Sequence, residues 1–133
     1  MNRAQLECAL RDLSQSHGYS FELMPAHRMT EVSNFPVVVL EPLTVARIDG
    51  REQGRISYKV TLHILSLAAK LSARERSEIQ EKMESDLLDI FVQLSESERV
   101  IAVEELSLTP REFAFTTHGE ISQTAQTNVV TFF

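Results

Sequence analysis

The residue types that most often carry chemistry are few and scattered in this sequence. The four histidines, His17, His27, His63 and His118, lack the spacing of a zinc site, and Cys8 is the only cysteine. The sequence has neither a Gly-x-Ser-x-Gly nucleophile elbow nor a glycine-rich loop that precedes a helix. We therefore expect no catalytic residue, no metal and no cofactor, and we predict that the protein is not an enzyme.

The remaining chemical candidates each have a plain structural interpretation that we favour. Cys8 lies in the apolar pattern of a helix, which predicts a buried small side chain rather than a reactive thiolate. His118 and Glu120 could share a metal ion at the end of a strand, but two ligands are too few, so a turn is the better interpretation. His63 falls on the polar side of a long strand, where we expect it to be solvated or to lie at an interface.

Length and composition indicate a single domain over residues 1–133. The chain is 43% hydrophobic and 24% charged, which excludes a disordered or low-complexity protein. A net charge of -6 without a basic run argues against nucleic acid as a direct ligand. The apolar runs are too short to cross a membrane, and a lone cysteine fits a reducing compartment. We expect a soluble, cytoplasmic protein without a cleaved leader.

Hydrophobic periodicity predicts the element order α-β-β-α-β-β, with a strand fragment after the first helix. The predicted elements are a helix at 2–17, the fragment at 19–23, a loop at 24–34, strands at 35–48 and 55–65, a helix at 73–94, and strands at 99–108 and 120–133. Pro42 predicts a break or bulge within the strand at 35–48. Residues 111–117 also alternate in the manner of a strand. The strand at 55–65 is long enough that we expect part of it to project past the core.

This order predicts an α+β protein with a mixed, mainly antiparallel sheet that two helices cover on one face. The other face is expected either to be wet or to meet another subunit, and the residues assigned to it are Ser57, Lys59, Thr61, Gln123 and Thr127.

Arginine and the last residues of the sequence suggest contacts between proteins. Ten of the 13 basic residues are arginine, and three of them surround the turn at Asp49. Arginine is favoured at interfaces because its planar guanidinium bonds carboxylates in pairs, although a solvated hairpin tip is an equal alternative. The two final rings are expected to pair into the sheet or to be covered by a neighbour. The candidate interface residues are Arg28, Met29, Arg47, Arg51, Arg55, His63, Phe132 and Phe133.

The element order resembles that of the tail terminator (tail completion) proteins of long-tailed bacteriophages and prophages, and of related minor tail and head-tail joining proteins. The resemblance rests on the opening helix, the run Phe35-Pro36-Val37-Val38-Val39-Leu40 before a hairpin, the run Tyr58-Lys59-Val60-Thr61-Leu62-His63-Ile64, the helix at 73–94 and the closing strands. It covers almost the whole chain, but no short motif fixes an alignment. No residue role is therefore carried over from the family.

The resemblance implies a protein that acts without catalysis or cofactor. Members of this family assemble as rings, typically hexamers, that cap a finished tail tube and join it to the head. The implied partners are further copies of the chain, the tail tube and head-completion proteins, with no nucleic acid and no membrane. The implied location is the cytoplasm during assembly and then the tail of the virion.

Two other functions stay open from the sequence. The first is a small adaptor or ligand-binding domain that uses the sheet face or the loop at 24–34, and a deep apolar pocket would favour it. The second is an enzyme without local motifs, in which residues such as His27, Glu31 or His118 converge only in space. Perturbed titratable groups in a shared cleft would favour the enzyme.

Overall fold

The computed structural model describes residues 1–50 and 54–133 and confirms an α+β fold. The elements in chain order are α1 (Arg3–Ser16), β1 (Ser20–Leu23), a 3₁₀ helix (Ala26–Glu31), β2 (Val37–Leu40), β3 (Thr44–Asp49), β4 (Arg55–Leu67), α2 (Ala73–Ser95), β5 (Val100–Arg111) and β6 (Glu120–Phe132). The break predicted at Pro42 is confirmed, because it separates β2 from β3. Arg51 lies outside the described residues.

The strands form one mixed sheet in the spatial order β1-β2-β4-β6-β5, with β3 also paired to β4. Only β1 and β2 run parallel; the other described pairs are antiparallel. β4 pairs with β6 along its whole length, from Arg55 opposite Phe132 to Leu67 opposite Glu120. The long strand is therefore the centre of the sheet rather than a projection from it, because both of its edges have partner strands.

Both α-helices begin at a capping box. The Asn2 side-chain oxygen accepts a hydrogen bond from the Gln5 backbone amide at 2.8 Å, and the Asn2 backbone amide donates one to the Gln5 side-chain oxygen at 2.9 Å. The Ser72 hydroxyl accepts from the Glu75 amide at 3.2 Å, as the spacing of these two residues predicts. Each box satisfies amides that have no partner inside the first turn of a helix.

Both helices cover the same sheet face, where the main core lies. Its helical part is Leu6, Leu10, Met83, Leu87, Ile90 and Phe91, and its strand part includes Tyr58, Val60, Leu62, Ile64, Ala125 and Val129. The strand residues come from alternate positions, because successive side chains point to opposite faces of a sheet. The predicted covering of one face by two helices is confirmed.

The chain itself covers part of the opposite face. The 3₁₀ helix and the segment that precedes β6 fold over β2 and the end of β4, where a second buried cluster forms. This cluster is Met29, Val32, Val37, Val39 and Leu65, with Phe35 and Phe115 packed beside it. The remainder of this face carries Ser57, Lys59 and Thr61, which are exposed or half-buried. The face predicted to be wet is therefore open at one end only. The prediction that Gln123 and Thr127 lie on it is wrong, because they stand opposite Ile64 and Val60 on the helix-covered face and are buried.

Three further local predictions are wrong. Residues 112–118 form bends and a turn rather than a strand, and the Arg111 guanidinium donates to the Phe113 carbonyl at 3.1 Å within the bend. Cys8 is exposed, because it lies about half a turn away from the buried Leu6 and Leu10 on α1. His63 is not solvated, since only 6% of its surface is exposed.

Candidate interaction surfaces

The structure places the predicted interface residues in different environments. Arg28 is exposed on the 3₁₀ helix, where its guanidinium pairs with Glu31 at 3.0 Å. Met29, the next residue, is 1% exposed and belongs to the second buried cluster. Met29 and His63 offer almost no surface to a partner, so the sequence prediction that they form an interface is not supported by their positions.

The buried His63 ties three parts of the chain together. Its Nε2 atom lies 2.7 Å from the Glu41 carboxylate, and its Nδ1 atom lies 2.7 Å from the Thr124 hydroxyl. Glu41 follows β2, and Thr124 stands opposite His63 on β6. Both ring nitrogens therefore have partners inside the fold, which makes the burial of a polar ring tolerable.

The β3–β4 hairpin carries the exposed part of the predicted interface. Arg47 pairs with Asp49 at 2.8 Å, and both side chains face solvent. Arg55 is exposed opposite Phe132, so the prediction that this ring pairs into the sheet is confirmed. Val45 and Ile48 are 43% and 60% exposed on the other face of the same hairpin, since they stand opposite Tyr58 and Ile56, whereas Arg47 stands opposite Ser57. We call Val45, Arg47, Ile48 and Arg55 the hairpin surface.

Phe133 packs against the strand that begins after the turn. Its amide donates to the Gly54 carbonyl at 3.0 Å, while 69% of its surface is exposed. A Cβ atom at Gly54 would stand 1.7 Å from the Phe133 ring. The ring occupies the space that a side chain at position 54 would fill, so it adds apolar area next to the hairpin surface.

Glu120 is a buried carboxylate that anchors the segment before β6. It accepts hydrogen bonds from the amides of Phe115 and Thr116 and from the Thr116 hydroxyl. Burial raises the pKa of Glu120, but these hydrogen bonds outweigh it, and the pKa lies below its usual value. Because its oxygens are occupied in this way, Glu120 does not serve as the metal ligand considered beside His118.

A polar cluster links the end of α1 to α2. The Tyr19 hydroxyl donates to Asp86, and the Lys82 ammonium lies 2.7 Å from the same carboxylate oxygen. Burial, together with the bond to Asp86, raises the pKa of Tyr19. The four-residue spacing of Lys82 and Asp86 on α2 indicates from the sequence that these two side chains pair. Nothing in the sequence indicates that Tyr19 joins them, because it is far from both in the chain.

The same cluster approaches the geometry of a metal site. Ligand atoms of His17, Asp86 and Asp89 lie within 4.8 Å of one another. The His17 Nδ1 atom donates to the Leu13 carbonyl at 2.8 Å, so its Nε2 atom faces Asp89 at 4.0 Å. Asp86 already accepts hydrogen bonds from Tyr19 and Lys82. We interpret the cluster as a structural tie between the two helices.

Two cavities lie one after the other along the boundary between α2 and the edge strand β5. Ser77, Glu81, Glu84, Leu88 and Val92 follow one another at intervals of three or four residues, and so line them from one side of α2. One end has a volume of about 450 Å³ and also includes Arg76, Gln80, Pro110, Glu112 and Gln123. The other end, of about 230 Å³, is apolar and includes Val103 and Leu106. We call the two ends together the α2–β5 groove.

The wide end of the α2–β5 groove has carboxylate and amide oxygens that can accept hydrogen bonds. Glu81 and Glu84 are exposed, and neither has an ion-pair partner among the described residues. Gln80 and Gln123 are buried, and the Oε1 atom of each lacks a hydrogen-bond partner within the described chain. The Gln80 Nε2 atom donates to Glu112 at 3.3 Å, which fixes its amide orientation.

Charge is distributed unevenly between the two sides of the molecule. Residues 73–112, which comprise α2, the following turn and β5, carry eleven of the 19 acidic residues and five of the 13 basic residues. The net charge of this segment therefore equals that of the whole chain, -6. The side of the molecule that contains the α2–β5 groove is acidic, and the remainder is balanced.

No protein-family model matches the chain, and neither does any curated protein. Among the described residues, no helix has both the length and the apolar character needed to span a membrane. The functional inference therefore rests on the exposed surfaces of the fold.

Proposed function

We propose that the protein is a non-enzymatic structural subunit of a phage or prophage tail, which forms a ring that terminates the tail tube and joins it to the head. The observation that carries the proposal is an open sheet with a strand edge free at each side. Among the described strands, β3 and β1 lie at one side and β5 lies at the other. Free edges invite pairing with another chain, and closure into a ring removes them.

The arrangement of the polar groups also supports a structural role. The perturbed or buried groups Tyr19, His63 and Glu120 are each engaged by hydrogen bonds inside the fold. They lie in three separate networks rather than in one shared cleft. A catalytic centre would bring an acid, a base and a substrate position together.

The proposal is tested by deleting the gene from the phage or prophage that carries it. Electron microscopy of the lysate is expected to show separate heads and tails, with tails that lack a defined end. The purified protein is expected to bind such tails and to restore joined particles in the extract. Normal, infectious particles from the deletion strain would refute the proposal.

A small ligand-binding or adaptor domain is the second candidate. The volume of the wide end of the α2–β5 groove, about 450 Å³, falls within the range of ligand sites and favours it. A thermal-shift screen of small cationic compounds would test it, because the groove supplies acceptors. Stabilisation that Glu81→Gln abolishes would support this candidate, and the absence of any stabilising compound would count against it.

A further inference from the structure

We propose that the α2–β5 groove binds the β3–β4 hairpin of a second copy of this chain, in a head-to-tail contact. The inference deepens the proposed function and rests on it for the ring, since it names the two surfaces that would meet. The occupant of the groove is the hairpin surface, which complements it in charge, in apolar area and in position in the sheet.

The charges of the two surfaces are complementary. Arg47 and Arg55 are exposed on the hairpin surface, against a single acid in the described part of the hairpin, Asp49, that already pairs with Arg47. Glu81 and Glu84 face the groove without ion-pair partners among the described residues. Association would pair these opposite charges, which favours this orientation over one that brings two acidic sides together.

The wide end of the groove suits a guanidinium group in particular. An arginine carries five N–H donors and no acceptor, so it needs a site rich in oxygen atoms. The wall there supplies the Glu81 and Glu84 carboxylates and the unpartnered amide oxygens of Gln80 and Gln123, while its own guanidinium, that of Arg76, pairs with Glu112 at 3.4 Å. Small movements of these amides would give an incoming arginine the donor-acceptor pairs that the isolated chain lacks.

Apolar area is also matched between the two surfaces. On the hairpin, Val45 and Ile48 are 43% and 60% exposed. In the groove, Leu88 and Val92 are 43% and 55% exposed beside the half-buried Val103. Contact would remove these side chains from water, and apolar burial is the main favourable contribution to association.

Position in the sheet makes the contact directional. β3 pairs with the outer side of β4, whereas β5 lies at the opposite edge of the sheet. A copy that offers its hairpin to a neighbour therefore keeps its own groove free for the next copy. Such heterologous contacts produce a closed ring when the rotation between copies closes.

The test is an exchange of charge between the two surfaces. One variant, Arg47→Glu with Arg55→Glu, makes the hairpin acidic, and a second, Glu81→Arg with Glu84→Arg, makes the groove basic. Sedimentation velocity and light scattering measure association of the wild type, each variant alone and their equimolar mixture. We expect each variant alone to associate at least about tenfold more weakly than the wild type. The mixture should recover association, because each hairpin then meets a groove of opposite charge.

A matched control variant, Asp12→Lys with Glu22→Lys, reverses the charge of two exposed acidic residues outside the two surfaces. This variant should associate as the wild type does. Circular dichroism and thermal melting establish that each variant folds. A wild type that stays monomeric at hundreds of micromolar would overturn the inference, as would variants that associate normally or a mixture that does not recover. None of these results decides the tail function, which the gene deletion tests separately.

Discussion

The carboxylate of Glu120 provides the sharpest test of how the segment before β6 is held in place. Replacement by alanine removes the acceptor for the Phe115 amide and for both the amide and the hydroxyl of Thr116. Replacement by glutamine keeps one carbonyl oxygen but loses the charge. The two variants therefore separate the loss of hydrogen bonding from the loss of charge.

The expected magnitudes follow from these contacts. A hydrogen bond to a charged group contributes about 1.5–3 kcal/mol, and the three bonds share one carboxylate, so we expect Glu120→Ala to cost about 3 kcal/mol. We expect Glu120→Gln to cost about 1 kcal/mol at neutral pH, because the two amides retain an acceptor. For a domain of this size either loss is a measurable share of the total stability.

The stability that the Glu120 carboxylate contributes should decrease as the pH falls. The pKa of Glu120 in the folded protein lies below the usual value for a glutamate side chain, because the hydrogen bonds to its carboxylate outweigh its burial. A lowered folded pKa stabilises the protein above the unfolded pKa, and this contribution is lost as the pH falls through the folded pKa. The difference in stability between the wild type and Glu120→Gln should thus be largest near neutral pH and shrink below the unfolded value.

Urea denaturation at neutral pH and at about pH 3 measures this difference. Trypsin cleavage after the exposed Arg111 gives a second readout, and cleavage in Glu120→Ala should be faster than in the wild type. Glu22→Gln, an exposed carboxylate on β1, is the control and should change neither measurement. A stability difference for Glu120→Gln that is equal at both pH values, or larger in acid, would refute the reasoning.

Three further predictions concern single positions. Gly119→Ala should destabilise the protein by at least about 1 kcal/mol more than Gly18→Ala in thermal melts. Both glycines have positive φ, but a Cβ atom at position 119 would also stand 2.8 Å from Ala69. Equal losses of stability would contradict this. Met29→Ala should cost about 2–4 kcal/mol in urea denaturation, since it opens a cavity in the second cluster, and a loss below about 1 kcal/mol would show that the cluster is not packed. Cys8 should react with a maleimide in the native protein as fast as in urea, as mass spectrometry would show; protection in the native state would contradict its exposure.

The regular elements of the fold were predictable because their signals are local. α2 shows both a capping box at Ser72 and an apolar stripe, and it spans Ala73–Ser95 against a prediction of 73–94. The alternation around Tyr58 and Val60 predicted β4 and the face that the helices cover. A repeating pattern is enough for such elements, since every residue in them repeats the same backbone geometry.

The errors fall where partners are distant in the sequence. The burial of His63 depends on Glu41 and Thr124, and no feature close to His63 in the chain indicates either partner. Residues 111–117 alternate in polarity like a strand, yet the chain bends after Arg111 because Glu120 accepts hydrogen bonds from the amides of Phe115 and Thr116. Polarity alone does not distinguish a paired backbone from one that a buried carboxylate holds.

The sequence by itself determined the α+β class, the two helices, the central strand and the overall acidity, because composition and periodicity are properties of short stretches. Only the tertiary structure decided which charges face one another. It put the acidic side of α2 next to β5 and left the hairpin surface at the far edge of the sheet. The physical reason is that strand order and side-chain pairing depend on contacts between residues far apart in the chain, which no local pattern encodes.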